Sequence, residues 1–352
     1  MTNTSVESIS TNKKIDLSLG NTYLWQEWYR KKDISIEQSI ICTYQFHQPL
    51  NSNNGDMKLA NAIIQFHKAN GYNIPHDSYI LTGLGSTQVI ISLLYTLRDI
   101  YGILNVWEKT PYFANHKDMV DITGNRWKSM NPPTFPNLDV EIVTSPCNPD
   151  GSIRLPETDA KIVIWDAVYA WSWYGVSQSL LLSKMKEACK DKILIPIFSC
   201  SKSIGLAGQR VGYAIIDDYV YNELSTPDLD FISIYQSYNY STTLGTCRSG
   251  EGTCRTILNS YKVFPEIKEE LDRRYNLLHN KFSIIEGLQI LSPKGFPYMW
   301  LYLKDVDLYN EFLKRGIQGI SGTLFGVTNE YVRISLYISS ATFNSLMDLQ
   351  FS

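Results

Sequence analysis

Lys202 stands in the run FSCSKSIGLAGQRVGY, residues 198–213, between Ser199, Ser201 and Ser203 and just after the apolar ILIPIF. A lysine amine attacks carbonyl carbon once it has shed its proton, although a lysine among small polar residues equally suits a solvated loop. Arg210 follows eight residues later in the turn GLAGQR. Its guanidinium fork, together with the Ser199 hydroxyl, suits a phosphate-like dianion. A second cradle of the same kind is GLGST, residues 83–87, which offers backbone N–H groups and hydroxyls where a helix begins. Glycine turns before helices are common, and neither the Walker lysine nor a GxGxxG spacing accompanies this one. Asp166 closes the apolar IVIW, with Tyr169 three residues on. A carboxylate at a strand end either caps an Asx turn or meets a fixed cation. Asn148, in the turn-rich SPCNPDG, either shapes that turn or points its amide into a site.

Taken together these stretches supply a phosphate cradle, an acid for a buried cation, a phenol or amide for a neighbouring oxygen, and a nucleophilic amine. That set is what pyridoxal 5′-phosphate requires. On this reading Asp166 keeps the pyridine nitrogen protonated, while Lys202 holds the aldehyde as a Schiff base and then carries protons.

Such residues need a scaffold that brings strand ends together. Short apolar strands are expected at 140–144, 162–165, 193–197 and 212–216, with a strand, a glycine turn and a helix from about Thr87 in SYILTGLGSTQVIISLLYTLRDIY, capped by Ser86 or Thr87. Helical spacing marks 59–70 and 178–189. Strands alternating with helices predict a mostly parallel sheet covered on both faces, with the ligand outside the carboxyl ends of the strands. The last third differs: a charged helix over 264–282 precedes PYMWLYL and YVRISLYI, alternating strands of a smaller α+β unit. We therefore expect an N-terminal arm with part of the small domain over 1–55, a cofactor-binding large domain over 56–263, and a C-terminal small domain over 264–352, the switch lying near Val263.

At 352 residues, with 44% hydrophobic and 19% charged residues and a net charge of −3, the chain reads as an ordinary globular protein with no basic excess for nucleic acid. No apolar run approaches the length of a membrane span, and residues 1–14 lack a signal core, so a cytoplasmic location is expected. The six cysteines and five histidines are dispersed, which predicts reduced thiols and no metal.

The motifs also carry a resemblance. LTGLGSTQVI resembles the GTGSTQ phosphate turn of the alliinase and tryptophan aminotransferase group of fold-type I pyridoxal-phosphate enzymes. TPYFANHK is similar to its PYY segment and to the aminotransferase WPNHK, and VTSPCNPDG to SPNNPDG. WDAVYAWSWY resembles DxAYYWPHY, SKSIGLAGQRVGY resembles SKxxGHAGxRxGW, STTLGTCRSGEGTCR resembles NTIGVSRDSQLR, and GTLFGVTNEYVRISL resembles GxxFGxxxxYVRISM. The matches run nearly end to end and in order. They imply an aspartate aminotransferase-like fold: a three-layer α/β/α large domain with a mostly parallel sheet, plus a smaller α+β domain.

By that resemblance Lys202 forms the Schiff base, Asp166 faces the pyridine nitrogen, and Tyr169 and Asn148 face the phenolic oxygen. Gly85, Ser86, Thr87, Ser199 and Arg210 hold the phosphate, and Phe113 or Tyr112 stacks on the ring. Arg333 takes the substrate α-carboxylate, with Asn148 beside it and Gly20 and Asn21 closing over it. Arm residues 19–29 read LGNTYLWQEWY where the group has a GDPT-like stretch. The resemblance further implies a homodimer with the site at the interface, to which Thr243 and Tyr44 of the partner could contribute. It implies an aminotransferase acting on an L-amino acid, or alternatively a lyase or cyclase acting on a β- or γ-substituted one. A non-catalytic binding protein of the same fold is the remaining reading. Trp25, Trp28, Trp171, Trp173 and Tyr174 either frame an aromatic or guanidinium substrate or pack as core.

Overall fold

Strands whose every residue is buried set the architecture. VEIVT (Val140–Thr144) and IVIWD (Ile162–Asp166) are inaccessible along their whole length. Runs of this kind are stable only between two layers of helix, because both faces must leave water. The computed structural model describes residues 15–18, 22–32, 58–128, 137–171, 178–243, 245–260 and 264–350. Gly20, Asn21, Tyr44, Trp173 and Tyr174, and the expected switch at Val263, lie outside them.

Among the described residues the large sheet has seven strands, in the order Tyr79–Leu84, Val211–Ile216, Ile193–Ser199, Ile162–Asp166, Val140–Thr144, Asn105–Glu108, Arg126–Lys128. The last five in that order run parallel, and Val211–Ile216 is antiparallel to both of its neighbours. Two apolar clusters cover the sheet. One gathers Leu93, Leu97 and Ile232 against Ile164 and Ile195; the other gathers Phe66, Trp171 and Leu181 against Val163 and Phe198. Trp25, Trp28 and Trp171 all belong to the second cluster. Trp25 and Trp28 meet Phe264 edge to face, so these three indoles are core residues.

A second sheet of four short antiparallel strands, in the order Ile320–Ser321, Tyr331–Ser335, Tyr298–Tyr302, Gln289–Ile290, stands beside the carboxyl ends of the large one. The long helix Pro265–Phe282 supports it through Arg274, which is fully buried and donates to the carbonyls of Leu336 and Ile338. The arm strand Ile15–Asp16 pairs in parallel with Ile317–Gln318, which brings Ser18 to the same region.

One local expectation needs correction. The helix after the glycine turn begins at Gly85 and is preceded by Leu84, with no side-chain cap from Ser86 or Thr87. Instead Gln88 Oε1 accepts the Leu84 N–H at 2.6 Å. The two hydroxyls are thereby released from capping and line the cavity described next.

Candidate active site

The parallel strands end on Glu108, Thr144 and Asp166, and Ser199 ends the next strand, with Lys202 three residues beyond it. This edge faces Arg333 across a cavity of about 520 Å³. Ser86, Thr87, Phe113, Asn148, Asp166, Tyr169, Ser199, Lys202, Arg210 and Arg333 all line it. Gly85 forms the turn beneath Arg210. Tyr112 points elsewhere, its ring 5.0 Å from that of Trp127, so of these two it is Phe113 that lines the cavity. Thr243 is not in the lining; its hydroxyl accepts from Gln88 Nε2 at 2.7 Å.

At one end the backbone is built for an anion. Gly85 has φ +76°, and a Cβ there would lie 2.3 Å from Arg210 Nη2. Gly212 is closer still to its neighbours, since a Cβ would meet Ser86 N at 2.3 Å and Gly85 C at 2.4 Å. Both glycines are needed so that the strand and the helix start can touch and hold Arg210 over the turn. Arg210 itself is left-handed, at φ +53°, and donates to the Leu84 and Ala207 carbonyls at 3.1 Å each. Ser199 caps the short helix Cys200–Ser203 by accepting the Ser201 N–H. A helix N-terminus, three serines, a threonine and an arginine thus converge without a carboxylate among them, which suits a phosphate.

At the other end Asn148 ties the site together. Its amide donates to Tyr169 Oη at 3.1 Å, and its oxygen accepts from Arg333 Nη1 at 3.0 Å. Arg333 Nη2 donates to the Ser18 carbonyl at 2.8 Å, while Nε is buried with no partner. The guanidinium lies over the Tyr298 ring at 4.2 Å. An unpartnered buried N–H is costly and marks a place for an acceptor such as a carboxylate.

Tyr298, Ser18 and Ser201 were not singled out in the sequence, yet each lines the cavity. Tyr298 lies 3.2 Å from Tyr169 Oη and hydrogen-bonds Lys202. Burial pushes both phenols up, and for Tyr169 burial and Tyr298 prevail. For Tyr298 the charges of Lys202 and Arg333 outweigh burial and bring it below the ordinary tyrosine value. Its only sequence signal was the alternation of PYMWLYL, which fixes a strand and not its neighbour.

Asp166 is 4% exposed; one of its side-chain oxygens accepts the Val168 N–H at 3.1 Å and the other faces His116. These residues fit pyridoxal phosphate: a phosphate cradle that added Cβ atoms would fill, a buried carboxylate for the ring nitrogen, the Tyr169–Asn148 pair for the phenolic oxygen, and Lys202 for the aldehyde.

Comparisons with known proteins agree. A family model described as "Allinase" matches residues 15–282. The alliin lyase of Allium cepa var. aggregatum is 26% identical over 391 aligned positions, covering 96% of this chain and 81% of that protein. Tryptophan aminotransferase-related protein 2 of Arabidopsis thaliana is 29% identical over 218 positions, covering 58% of this chain and 47% of that protein, so the match spans about half its length. Among solved structures, the aspartate aminotransferase of Rhizobium meliloti superposes with a TM-score of 0.67 at 18% identity, over 95% of this chain and 90% of that one. At that identity the likeness concerns the fold alone.

Proposed function

The chain belongs to the alliinase family of fold-type I enzymes, whose cofactor is pyridoxal 5′-phosphate, and from that premise we infer that it is an aminotransferase acting on an L-amino acid. The observation that carries the substrate class is Arg333: a buried guanidinium with an unpartnered Nε–H, stacked on Tyr298 and braced by Asn148 and Ser18. A bidentate fork held this rigidly selects an α-carboxylate.

When bound, the cofactor supplies an electron sink for the electrons released as a bond to Cα breaks. The chain does the rest. Arg333 orients the amino acid, Asp166 faces the ring nitrogen, and Tyr169 with Asn148 holds the phenolic oxygen. Lys202, released from the aldehyde, would carry the proton from the substrate Cα to the carbon that had been the cofactor's aldehyde, with the Tyr298 phenol beside it to accept or supply that proton. Lys202 with Tyr298 suffices for this transfer, and transamination asks for no further group.

The same phenol supports a second reading. An acid with a lowered pKa next to Lys202 could protonate a group leaving from the β or γ carbon, which suits a lyase or cyclase, and one relative is named an alliin lyase. A homodimer and a cytoplasmic location complete the proposal.

Incubation of the cofactor-loaded protein with single amino acids, without a keto acid, separates the readings. Transamination converts the cofactor once to its amine form and yields one equivalent of keto acid. Multiple turnovers on a β-substituted alanine, with ammonia released and the original spectrum retained, would overturn transamination in favour of the lyase. A protein that acquires no visible band on addition of pyridoxal phosphate would sink both.

A further inference from the structure

Behind Asp166, on the cavity floor, runs a line of buried ionisable groups that the reaction above does not use. Asp166 Oδ2 stands 3.4 Å from His116 Nε2, an ion-pair distance without an aligned hydrogen bond. The other ring nitrogen, Nδ1, is 2.8 Å from Glu108 Oε2. Glu108 Oε1 accepts the Thr144 hydroxyl at 2.6 Å. Exposure is 2% for Glu108, 0% for His116 and 4% for Asp166. The sheet delivers this line: Glu108, Thr144 and Asp166 each end one of three adjacent parallel strands, and His116 lies in the first turn of the helix Ala114–Ile122.

Two carboxylates flank one imidazole. A neutral imidazole carries one N–H and can donate to only one of them, whereas an imidazolium donates to both. Two buried anions with no cation between them are far more costly than the same pair bridged by one. Burial alone would lower His116, but the charge of Glu108 and the contacts with Asp166 and Glu108 outweigh it and raise the imidazole to about 10. The other groups acting on the line do not displace that cation. Arg154 acts on Glu108 while bonded to Asp150 and the Lys109 and Pro111 carbonyls. Cys147 and Tyr112 near Glu108, and Tyr169 near Asp166, are each pushed up by burial and stay neutral.

We propose that Glu108 is a positioning residue for the cofactor's ring nitrogen: it fixes His116 as a cation against Asp166, so that Asp166 meets the ring as a carboxylate in a line carrying one net negative charge. The inference rests on Asp166 facing that nitrogen. Without the Glu108 carboxylate nothing offsets the burial of His116 except Asp166, and the imidazole gives up its proton within the working pH range.

The test uses the full chain, first without cofactor and then with pyridoxal phosphate labelled with ¹⁵N in the ring. In the wild type, ¹⁵N NMR should show both His116 nitrogens protonated from pH 6 to 9. In Glu108→Gln the midpoint should fall more than tenfold in proton affinity, which is more than about one pH unit. With cofactor bound, the variant's ring-nitrogen signal should match wild type at pH 6 and depart from it above the new His116 midpoint. A neutral His116 in the wild type overturns the proposal without any variant. So does a ring signal in Glu108→Gln that is unchanged at every pH, or one displaced equally at every pH as a purely structural defect would give. If Glu108→Gln fails to fold, Glu108→Asp draws the carboxylate back from His116 Nδ1 by one methylene and should lower the His116 midpoint by a smaller step. The cofactor-free measurement separates this idea from the functional reading: an imidazolium at His116 in a protein that binds no pyridoxal phosphate would refute that reading and leave the charge pair standing.

Discussion

Arg333→Lys tests the substrate class most directly, because it keeps the charge and removes the fork. The guanidinium already spends one donor on Asn148 Oδ1 at 3.0 Å and one on the Ser18 carbonyl at 2.8 Å, leaving Nε–H and the remaining Nη hydrogens for a ligand. A lysine ammonium has three donors. If it serves the same two protein acceptors it has one left, so a carboxylate bound through two charge-assisted hydrogen bonds is reduced to one. A hydrogen bond to a charged group contributes roughly 1.5–3 kcal/mol, which predicts a loss of about 10- to 150-fold in kcat/KM for the amino acid. Loss of the flat cation over Tyr298, now 4.2 Å from the ring, acts in the same direction. Cofactor affinity, read by titration of the visible band, should change by less than about threefold. Parallel kinetics on the amino acid and on the amine lacking its carboxylate complete the assay. If the variant loses as much on the amine as on the amino acid, or loses nothing on either, Arg333 does not bind the α-carboxylate.

Gly212→Ala would put a methyl group 2.3 Å from Ser86 N, a backbone atom that cannot rotate away. Overpacking of this kind costs about 1–3 kcal/mol, so pyridoxal phosphate should bind roughly 5- to 150-fold more weakly as the phosphate turn gives way; unchanged affinity and melting temperature would discard the cradle. Tyr298→Phe keeps the ring under Arg333 and deletes the hydroxyl beside Lys202. We expect kcat to fall by about 100-fold with KM moving less than about threefold, and an unaltered kcat in single-turnover measurements would remove Tyr298 from proton transfer. His67 is fully buried against Tyr213, and burial lowers it from 6.5 to about 3. The unfolded chain therefore binds a proton that the folded chain refuses between those values. Stability should fall by about 1.4 kcal/mol per unit as pH drops below 6.5. His116, raised to about 10, works in the opposite sense, since the folded chain keeps its proton while the unfolded chain loses it around 6.5; comparing wild type with a His67 variant at each pH cancels that contribution. Urea titrations of wild type and His67→Gln at pH 7 and pH 5 should differ by that step, and parallel curves would refute it.

The sequence was most legible where chemistry and local chain direction coincide. Lys202, Ser199 and Arg210 occupy one strand–helix–turn–strand unit, so reading their types also reads their proximity. Asp166 and Asn148 were legible for a related reason: Asp166 ends one fully buried strand and Asn148 follows another of the same sheet, and parallel strands present their carboxyl ends on one edge. The Ser86 and Thr87 hydroxyls were assigned to capping as well as to the phosphate because a helix start invites both. In the structure neither of them caps: Gln88, four residues on, accepts the Leu84 N–H, a reach-back like that of the glutamine in a capping box but one position later. The tryptophans were ambiguous because aromatic residues serve cores and pockets alike, and their partners, such as Phe264 for Trp25, lie far away in sequence.

Tyr298, Glu108 and His116 escaped for one physical reason. Each depends on a register between elements distant in the chain: Tyr298 faces Ser335 across two antiparallel strands, and Glu108 pairs with Ile142 across two parallel ones. Period-2 alternation says which face of a strand a residue takes but not which residue stands opposite, and a shift of one position would turn Glu108 away from His116. A glutamate after the apolar pair Val106 and Trp107 was nevertheless a signal, because a carboxylate carried into a buried strand end must be paired there. The rule that singled out Asp166 in IVIWD applies equally to NVWE. Applied at both strand ends, it predicts two carboxylates on one sheet edge and therefore a cation between them, and among the described residues His116 is the group that meets both.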